Sequence, residues 1–462
     1  MGIPNMQPGY ARHPAAPGNW VRRACHYAAW LLPAMVLAWA CSSSGCGLLN
    51  TPEPTETPVS RTPERTPTGV PLPMPTGTPV PAGAPDTLAV WVTELVYPLQ
   101  GGEATRVLEQ QISAFEATHP GLTVQVWRKK PEGKGGMQDL LSKASAVAPD
   151  TLPDLVALDT GLLADLSRKG LVVPLEGLVA EATQADLYPF AIEAGTVDGH
   201  LVGLQFEVDS IEHAIYNPSK IAVPPLTWSE VLSSGATYIF PAAGQDGLVN
   251  DAFLIQYLST GATLVDANGE PALDKQALTD VLAFYQTGIE RGAILTDVLN
   301  YATVEACWPR YLQAEVMMTD ITSNLYLTVR AGQVTAIPTR GGQATALSRG
   351  HAWALTTRDP GRQPLAVKLL EWLMHPANVA AWSQAAGRVP TRRAAFEQMT
   401  RDAYVTFMYD QLEHAVPYAT SQTHQRIYRA MQGAIGDVLG KGVQPEVAAE
   451  NVLQAVNQGR SP

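Results

Sequence analysis

Cysteine is scarce in this chain of 462 residues, with four in all. Three of them, Cys25, Cys41 and Cys46, crowd into the first 46 positions. Cys307 stands alone in everything that follows, so no intrachain disulfide is available there. It is expected as a small buried apolar side chain. Positive charge is also thin: 31 Lys and Arg against 43 Asp and Glu leave a formal charge of −12. The first 40 residues hold three arginines and no acid, so the remainder is more acidic still. With no basic stretch to offset it, that balance argues against nucleic-acid binding. Gly-x-Ser-x-Gly, His-Glu-x-x-His and the phosphate-loop Gly-Lys-Ser/Thr are missing. No carboxylate pair stands out for glycoside hydrolysis, so an enzyme is not expected. The 9 histidines show no ligand spacing, so neither a metal nor a cofactor is expected.

What is there begins with an export signal. Arg22 and Arg23 precede an apolar run over residues 27–40 that ends at Cys41. Fourteen residues interrupted by Pro33 are too few for the roughly 20 of a spanning helix. Positive residues, a short apolar stretch and small residues before a cysteine read as a lipoprotein signal peptide over 1–40. Ala40 precedes Cys41 and Gly45 precedes Cys46, so both offer a small residue at the cleavage position. Cys41 abuts the apolar run and is the preferred lipid site, with Cys46 the alternative. Acyl chains there would hold the protein outside the cell membrane. Residues 51–86 then hold 11 prolines and 8 threonines. Such a segment cannot bury a core, and 41–86 is expected as a lipidated start and an extended tether.

From residue 87 onward, short apolar runs alternate with amphipathic helical patterns, which predicts an α/β fold. Leu88-Ala89-Val90-Trp91-Val92 reads as a buried strand. Residues 104–118 read as a helix with Leu108, Ile112 and Phe115 on one face. A second strand follows over 122–127, a helix near 137–146, and a strand at Leu155-Val156-Ala157-Leu158. This is a doubly wound opening, so a ligand is expected at the carboxyl ends of the strands, near residues 91–94 and 159–160. Val197-Asp198-Gly199-His200 reads as a hairpin turn. Thr227 with Glu230 reads as a capping box opening a helix at Trp228. Residues 316–320 read as a strand leading into a polar loop, 350–357 as a strand, 364–374 as a helix, and the chain closes on helices.

Four stretches carry a family resemblance. They are residues 194–204 with Ala214-Ile215-Tyr216-Asn217; Pro224-Pro225-Leu226-Thr227-Trp228-Ser229-Glu230-Val231; Ala314-Glu315-Val316-Met317-Met318; and residues 366–382 with Gly387-Arg388-Val389-Pro390-Thr391-Arg392. In order and spacing they resemble the extracellular solute-binding proteins of ABC importers, the family that contains maltose-binding proteins. The resemblance implies a type II periplasmic-binding-protein fold of two α/β lobes with a hinge and ligand between them. Lobe 1 is expected at 87–206 plus 339–386 and lobe 2 at 207–338 plus 387–462. It also implies a small-molecule ligand of the carbohydrate class, permease subunits in the membrane as partners, and a monomer. A polyol or phosphodiester ligand stays open, because Asp320-Ile321-Thr322-Ser323-Asn324 stands where the family commonly has Gly-x-Trp. Signalling to a membrane kinase, in place of import, also stays open.

Sugar recognition needs carboxylates and amides for hydroxyl pairs and aromatic faces for the ring. The candidates for hydroxyls are Glu94, Asp159, Glu207, Asp209, Asp320 and Asn324, with Arg388 at the hinge and His351 beside it. Glu207 and Asp209 read equally well as hinge ion pairs. Trp353, Phe206 and Tyr188 are the candidates for stacking, whereas Trp372 and Trp382 fall at core spacing. Tyr188, before Pro189, reads more readily as packing at a helix terminus.

Overall fold

The computed structural model describes residues 87–98 and 101–458. The signal, Cys41, Cys46 and the tether lie outside the described residues.

Strand Thr87–Thr93 turns Leu88, Val90 and Val92 to one face and Trp91 to the other, and both faces are buried. A strand apolar on both sides belongs inside a layered sheet. It lies between Thr123–Lys129 and Leu155–Asp159, parallel to each. His351–Leu355 and Leu204–Gln205 complete a five-stranded sheet, the former antiparallel to both its neighbours. Helix Glu103–Thr118 covers one face through Leu108, Ile112 and Phe115, the stripe read from its periodicity. Helix Gln363–Leu373 joins the same core through Leu369, Leu370 and Leu373. Helix Met137–Val147 covers the opposite face, with Met137 and Leu141 against Trp91 and Val156.

The second sheet runs in the order Gln333–Thr335, Glu212–Tyr216, Met318–Thr322, Tyr238–Ile239. Helices Lys275–Glu290, Gln422–Lys441 and Pro445–Asn457 build its core, with Leu278, Leu282, Tyr285, Met431 and Val452 buried among them. Cys307 is fully buried in this core, as its isolation implied. The polar loop expected from Asp320 to Asn324 is instead the end of a strand and the start of a helix. Met318–Thr322 runs straight into helix Ser323–Val329, which Thr322 caps. Asp320 can continue the strand because the Tyr238 hydroxyl donates to it inside the core, at 2.6 Å.

Two short ladders lie where the chain passes between the cores. Glu207–Val208 pairs with Val389–Pro390, and Ala346–Ser348 pairs with Ala415–Pro417. The first passage runs over 206–213, with Phe206, Val208 and Ile211 still facing the first core and Ala214 the second. The other two depart from the expected boundaries. Thr339 still belongs with the second sheet's helices, since its amide bonds Leu226 and its carbonyl accepts from Trp228. The passage comes at Ala346 and Leu347, which face the first and second cores respectively. Residues 387–412, expected with the second lobe, pack instead in the first core through Val389, Phe396, Tyr404, Met408 and Leu412. The last passage is therefore at 413–421, and the second core resumes at Ile427.

Two turn devices follow the sequence directly. Asp198 and Gly199 take φ of 51° and 83°, the positive pair a two-residue hairpin needs between Thr196–Val197 and His200–Leu201. Thr227 Oγ1 accepts from Glu230 N, and the Glu230 carboxylate accepts from Thr227 N at 2.9 Å, closing the capping box of helix Trp228–Ser233.

Candidate functional site

Beside the passages, on the second-sheet side, lies a cavity of about 440 Å³. Its polar wall includes Glu212, Asn250, Asp251, Thr322, Arg349 and Tyr418. Sheet register supplies part of this set: Glu212 opens one strand, Thr322 closes its neighbour, and the two are cross-strand partners. Asn250 caps helix Asp251–Leu258, accepting from Phe253 N at 2.9 Å. That cap sets Asp251 in the first turn, facing the cavity. Arg349 comes from the second passage, where its carbonyl accepts from Asp209 N at 2.8 Å. Tyr418 comes from the third, donating its amide to Ser348 O at 2.9 Å.

Charge organises the wall. Arg349 grips Asp251 with both guanidinium arms, at 2.5 and 2.6 Å, the bidentate geometry that suits a carboxylate. The Tyr418 ring covers the same guanidinium at 3.6 Å from its centroid. Burial alone disfavours the Arg349 charge, but Asp251 more than offsets it and holds the group above its ordinary range. Asp320, buried behind the wall, sets a second carboxyl near that of Glu212. Burial pushes Asp320 up to about 7, while its bond with Tyr238 pulls it down. Burial, followed by the charges of Asp251 and Asp320, pushes Glu212 well above the carboxylate range. Burial thus favours the protonated form of both carboxyls.

The expected site residues scatter. Glu207 and His351 meet as a fully buried pair, with Oε1 accepting from His351 N at 2.8 Å and facing Nδ1 at 2.7 Å. Burial lowers the imidazole and Glu207 raises it, with a net rise. Gly350 permits this closeness, because a Cβ there would stand 2.0 Å from the Glu207 carbonyl oxygen. Asp209 and Arg388 form a second ion pair at the first passage. Both pairs take the hinge-bridge reading. Asp159 is exposed at its strand's carboxyl end and caps the next turn through Gly161 N at 2.7 Å, beside Thr420 of the third passage. Glu94 is half-buried at the end of Thr87–Thr93, away from the cavity. Asn324 is exposed on its helix and does not line the cavity.

Asp320 is 1 % exposed, so it supports the wall from behind and does not face a ligand. The stacking candidates are corrected more sharply. Phe206 and Trp353 stack on each other at 5.3 Å with Trp382 edge-on to Phe206, all in the first core. Strand parity is the reason: Trp353 shares a face with Leu355, while Ala352 and Ala354 share the other. Tyr188 is buried before its helix against Phe190, Phe396 and Tyr409, the packing role weighed for it. Glu212, Asn250, Asp251, Arg349 and Tyr418 were not anticipated. Only Asn250 left a local signal, a capping residue before the apolar run that begins at Ala252.

A larger cavity of about 1070 Å³ lies in the first layer beside Trp91, Trp127 and Lys129. Its wall includes Thr87, Ala89 and Asp154, at the amino ends of the strands and so away from the passages. The carboxyl ends are where an open α/β sheet presents ligands. The smaller cavity is therefore the candidate site.

Two α/β layers with separate cores, joined by three passages beside a polar cavity, define a two-lobed binding protein. The chain belongs to the bacterial extracellular solute-binding proteins, whose family pattern residues 110–408 match. That family works outside the cytoplasm. The fold is similar to the cyclic alpha-maltosyl-1,6-maltose binding protein of Arthrobacter globiformis: 18% identity, TM-score 0.63, covering 80% of this chain and 98% of that one. It is also similar to the sugar-binding protein MalE of Xanthomonas citri, at 17% identity and TM-score 0.64, covering 80% and 96%. The Thermus thermophilus maltotriose binding protein aligns at 18% identity and TM-score 0.55, covering 80% and 99%. No curated protein sequence matches the chain. These neighbours are binding proteins.

Proposed function

We propose that the chain is the lipid-anchored receptor of an ABC importer, a monomer that captures a carbohydrate-class solute between its lobes. One observation carries the reading: Arg349 and Tyr418, both on passages between the lobes, complete a cavity whose other walls belong to the second lobe. A ligand held there touches the hinge itself. It stabilises the closed form only by its differential affinity for that form. The closed receptor would then dock on permease subunits and release its load. Glu212, Asn250, Asp251 and Thr322 suit hydroxyl groups, while Tyr418, packed between Arg349 and Tyr428, holds the arginine in place. A phosphodiester fits poorly, because the wall holds four carboxylates and its arginine is already paired. Lipid on Cys41, or on Cys46, and the tether at 41–86 would keep the receptor near its permease.

The test is a thermal-shift screen over sugars and polyols, followed by solution scattering with whichever binds, since a tight ligand raises the melting temperature by mass action. Binding should compact the protein. Arg349→Ala should weaken binding roughly tenfold to a hundredfold, about 1.4–3 kcal/mol. Tight binding with unchanged dimensions, in wild type and variant alike, would overturn the receptor reading.

A further inference from the structure

The cavity wall is more acidic than hydroxyl recognition needs. Besides Glu212 and Asp251 it includes Asp246 and Glu305, and Arg349 is its one cation. Arg349 is committed to Asp251. Among the described residues, neither Asp246 nor Glu305 has an ion-pair partner, and both are exposed at the cavity. Helices Asp251–Leu258 and Val304–Leu312 start at the same wall, and their amino ends would by themselves favour an anion. Each, however, already carries an acid in its first turn, Asp251 and Glu305. What remains is a negative, partly enclosed pocket with no counter-cation of its own.

A second observation is independent of charge. Asn250 lines the same wall at 6 % exposure, and its Nδ2 has no partner while its Oδ1 is spent on the helix cap. A buried amide donor left open calls for an acceptor oxygen. The pocket therefore offers one donor for an oxygen and several carboxylates for a cation.

We infer that the solute taken by this cavity carries a protonated amine beside its hydroxyls, as an amino sugar or a short oligomer of one does. The inference rests on the receptor reading above and sharpens its ligand class. The amine lies between Asp246, Glu305 and the Glu212 carboxyl, and a ring hydroxyl or ether oxygen accepts from Asn250. An N-acetylated sugar of the same skeleton loses the cation and keeps the hydroxyls, so the pair isolates the charge.

The experiment is calorimetric titration of the full chain with glucosamine oligomers, with the matched N-acetylglucosamine oligomers and with maltotriose. The expected result is an affinity for the free amine at least tenfold above that for its acetylated twin. That advantage should shrink severalfold between about 20 and 300 mM salt, as screening of exposed charge requires. Asp246→Asn with Glu305→Gln should remove it. Both residues are at the surface, and an unchanged melting curve without ligand confirms the variant's fold. Equal or tighter binding of the acetylated sugars or of maltotriose overturns the amine inference and leaves the receptor reading standing. Binding of none of the three overturns the amine inference, and the receptor reading is then decided by the wider screen of sugars and polyols.

Discussion

A tryptophan three residues into a strand is ambiguous until the face is known, and Trp353 shows what decides it. His351–Leu355 is buried along its whole length, so composition does not tell the two faces apart. The ladder does: Trp353 opposes Ala157 on one side and Leu204 on the other, and its ring falls in the first core. Trp353→Ala should therefore cost about 3–5 kcal/mol of stability, the usual cost of emptying a large aromatic site. Ligand affinity of the folded fraction should stay within a factor of two. Denaturant melts and titration on the same preparation check both halves, and lost affinity at unchanged stability would return Trp353 to the site. At this scale the sequence was least informative where parity mattered. Asp320 looked like a loop carboxylate because its inward partner, Tyr238, lies 82 residues away in the chain.

Elements were far more legible, because their signals are local. Leu108, Ile112 and Phe115 announce helix Glu103–Thr118 by spacing alone, and Asp198-Gly199 announces its hairpin by backbone preference. The capping box at Thr227 is the cleanest case, since one side chain and one carboxylate satisfy three amides: Glu230 N, Thr227 N and Leu226 N. Helix Trp228–Ser233 is only six residues long, so it depends on that cap and on Trp228, which stacks on Phe284 at 5.2 Å. Thr227→Ala should lower stability by about 1 kcal/mol, and Thr227→Ser should restore most of it. Equal melting curves for the alanine variant and wild type would mean that Glu230 alone holds the helix start.

The whole molecule turns on pairings that no local pattern encodes. The first passage was expected near Phe206 to Asp209 because these residues lie between two family-like segments, 194–204 and 214–217. The third was misplaced because Val389–Pro390 does reach the hinge, yet the chain turns back into the first core for another 20 or so residues. Arg349 and Tyr418 are cavity residues only because the strand Ala346–Ser348 pairs with Ala415–Pro417, a match of remote segments that sequence spacing does not reveal.

The buried Glu207–His351 pair binds these passages together, since Glu207 sits on the first and His351 directly follows the second. Removing one partner of such a pair leaves the other uncompensated, and Glu207→Ala should cost about 3–5 kcal/mol. The pH dependence has a definite sign. The folded imidazole titrates above its ordinary 6.5, so the folded state holds the proton more tightly than the unfolded chain. The stabilisation is therefore complete below about pH 6.5 and is lost as pH rises through the folded value. His351→Gln should remove that dependence, so wild type should lose stability relative to the variant between pH 6 and pH 8 in urea melts. A constant difference across that range would show that the pair does not change protonation there and has no proton linkage to folding.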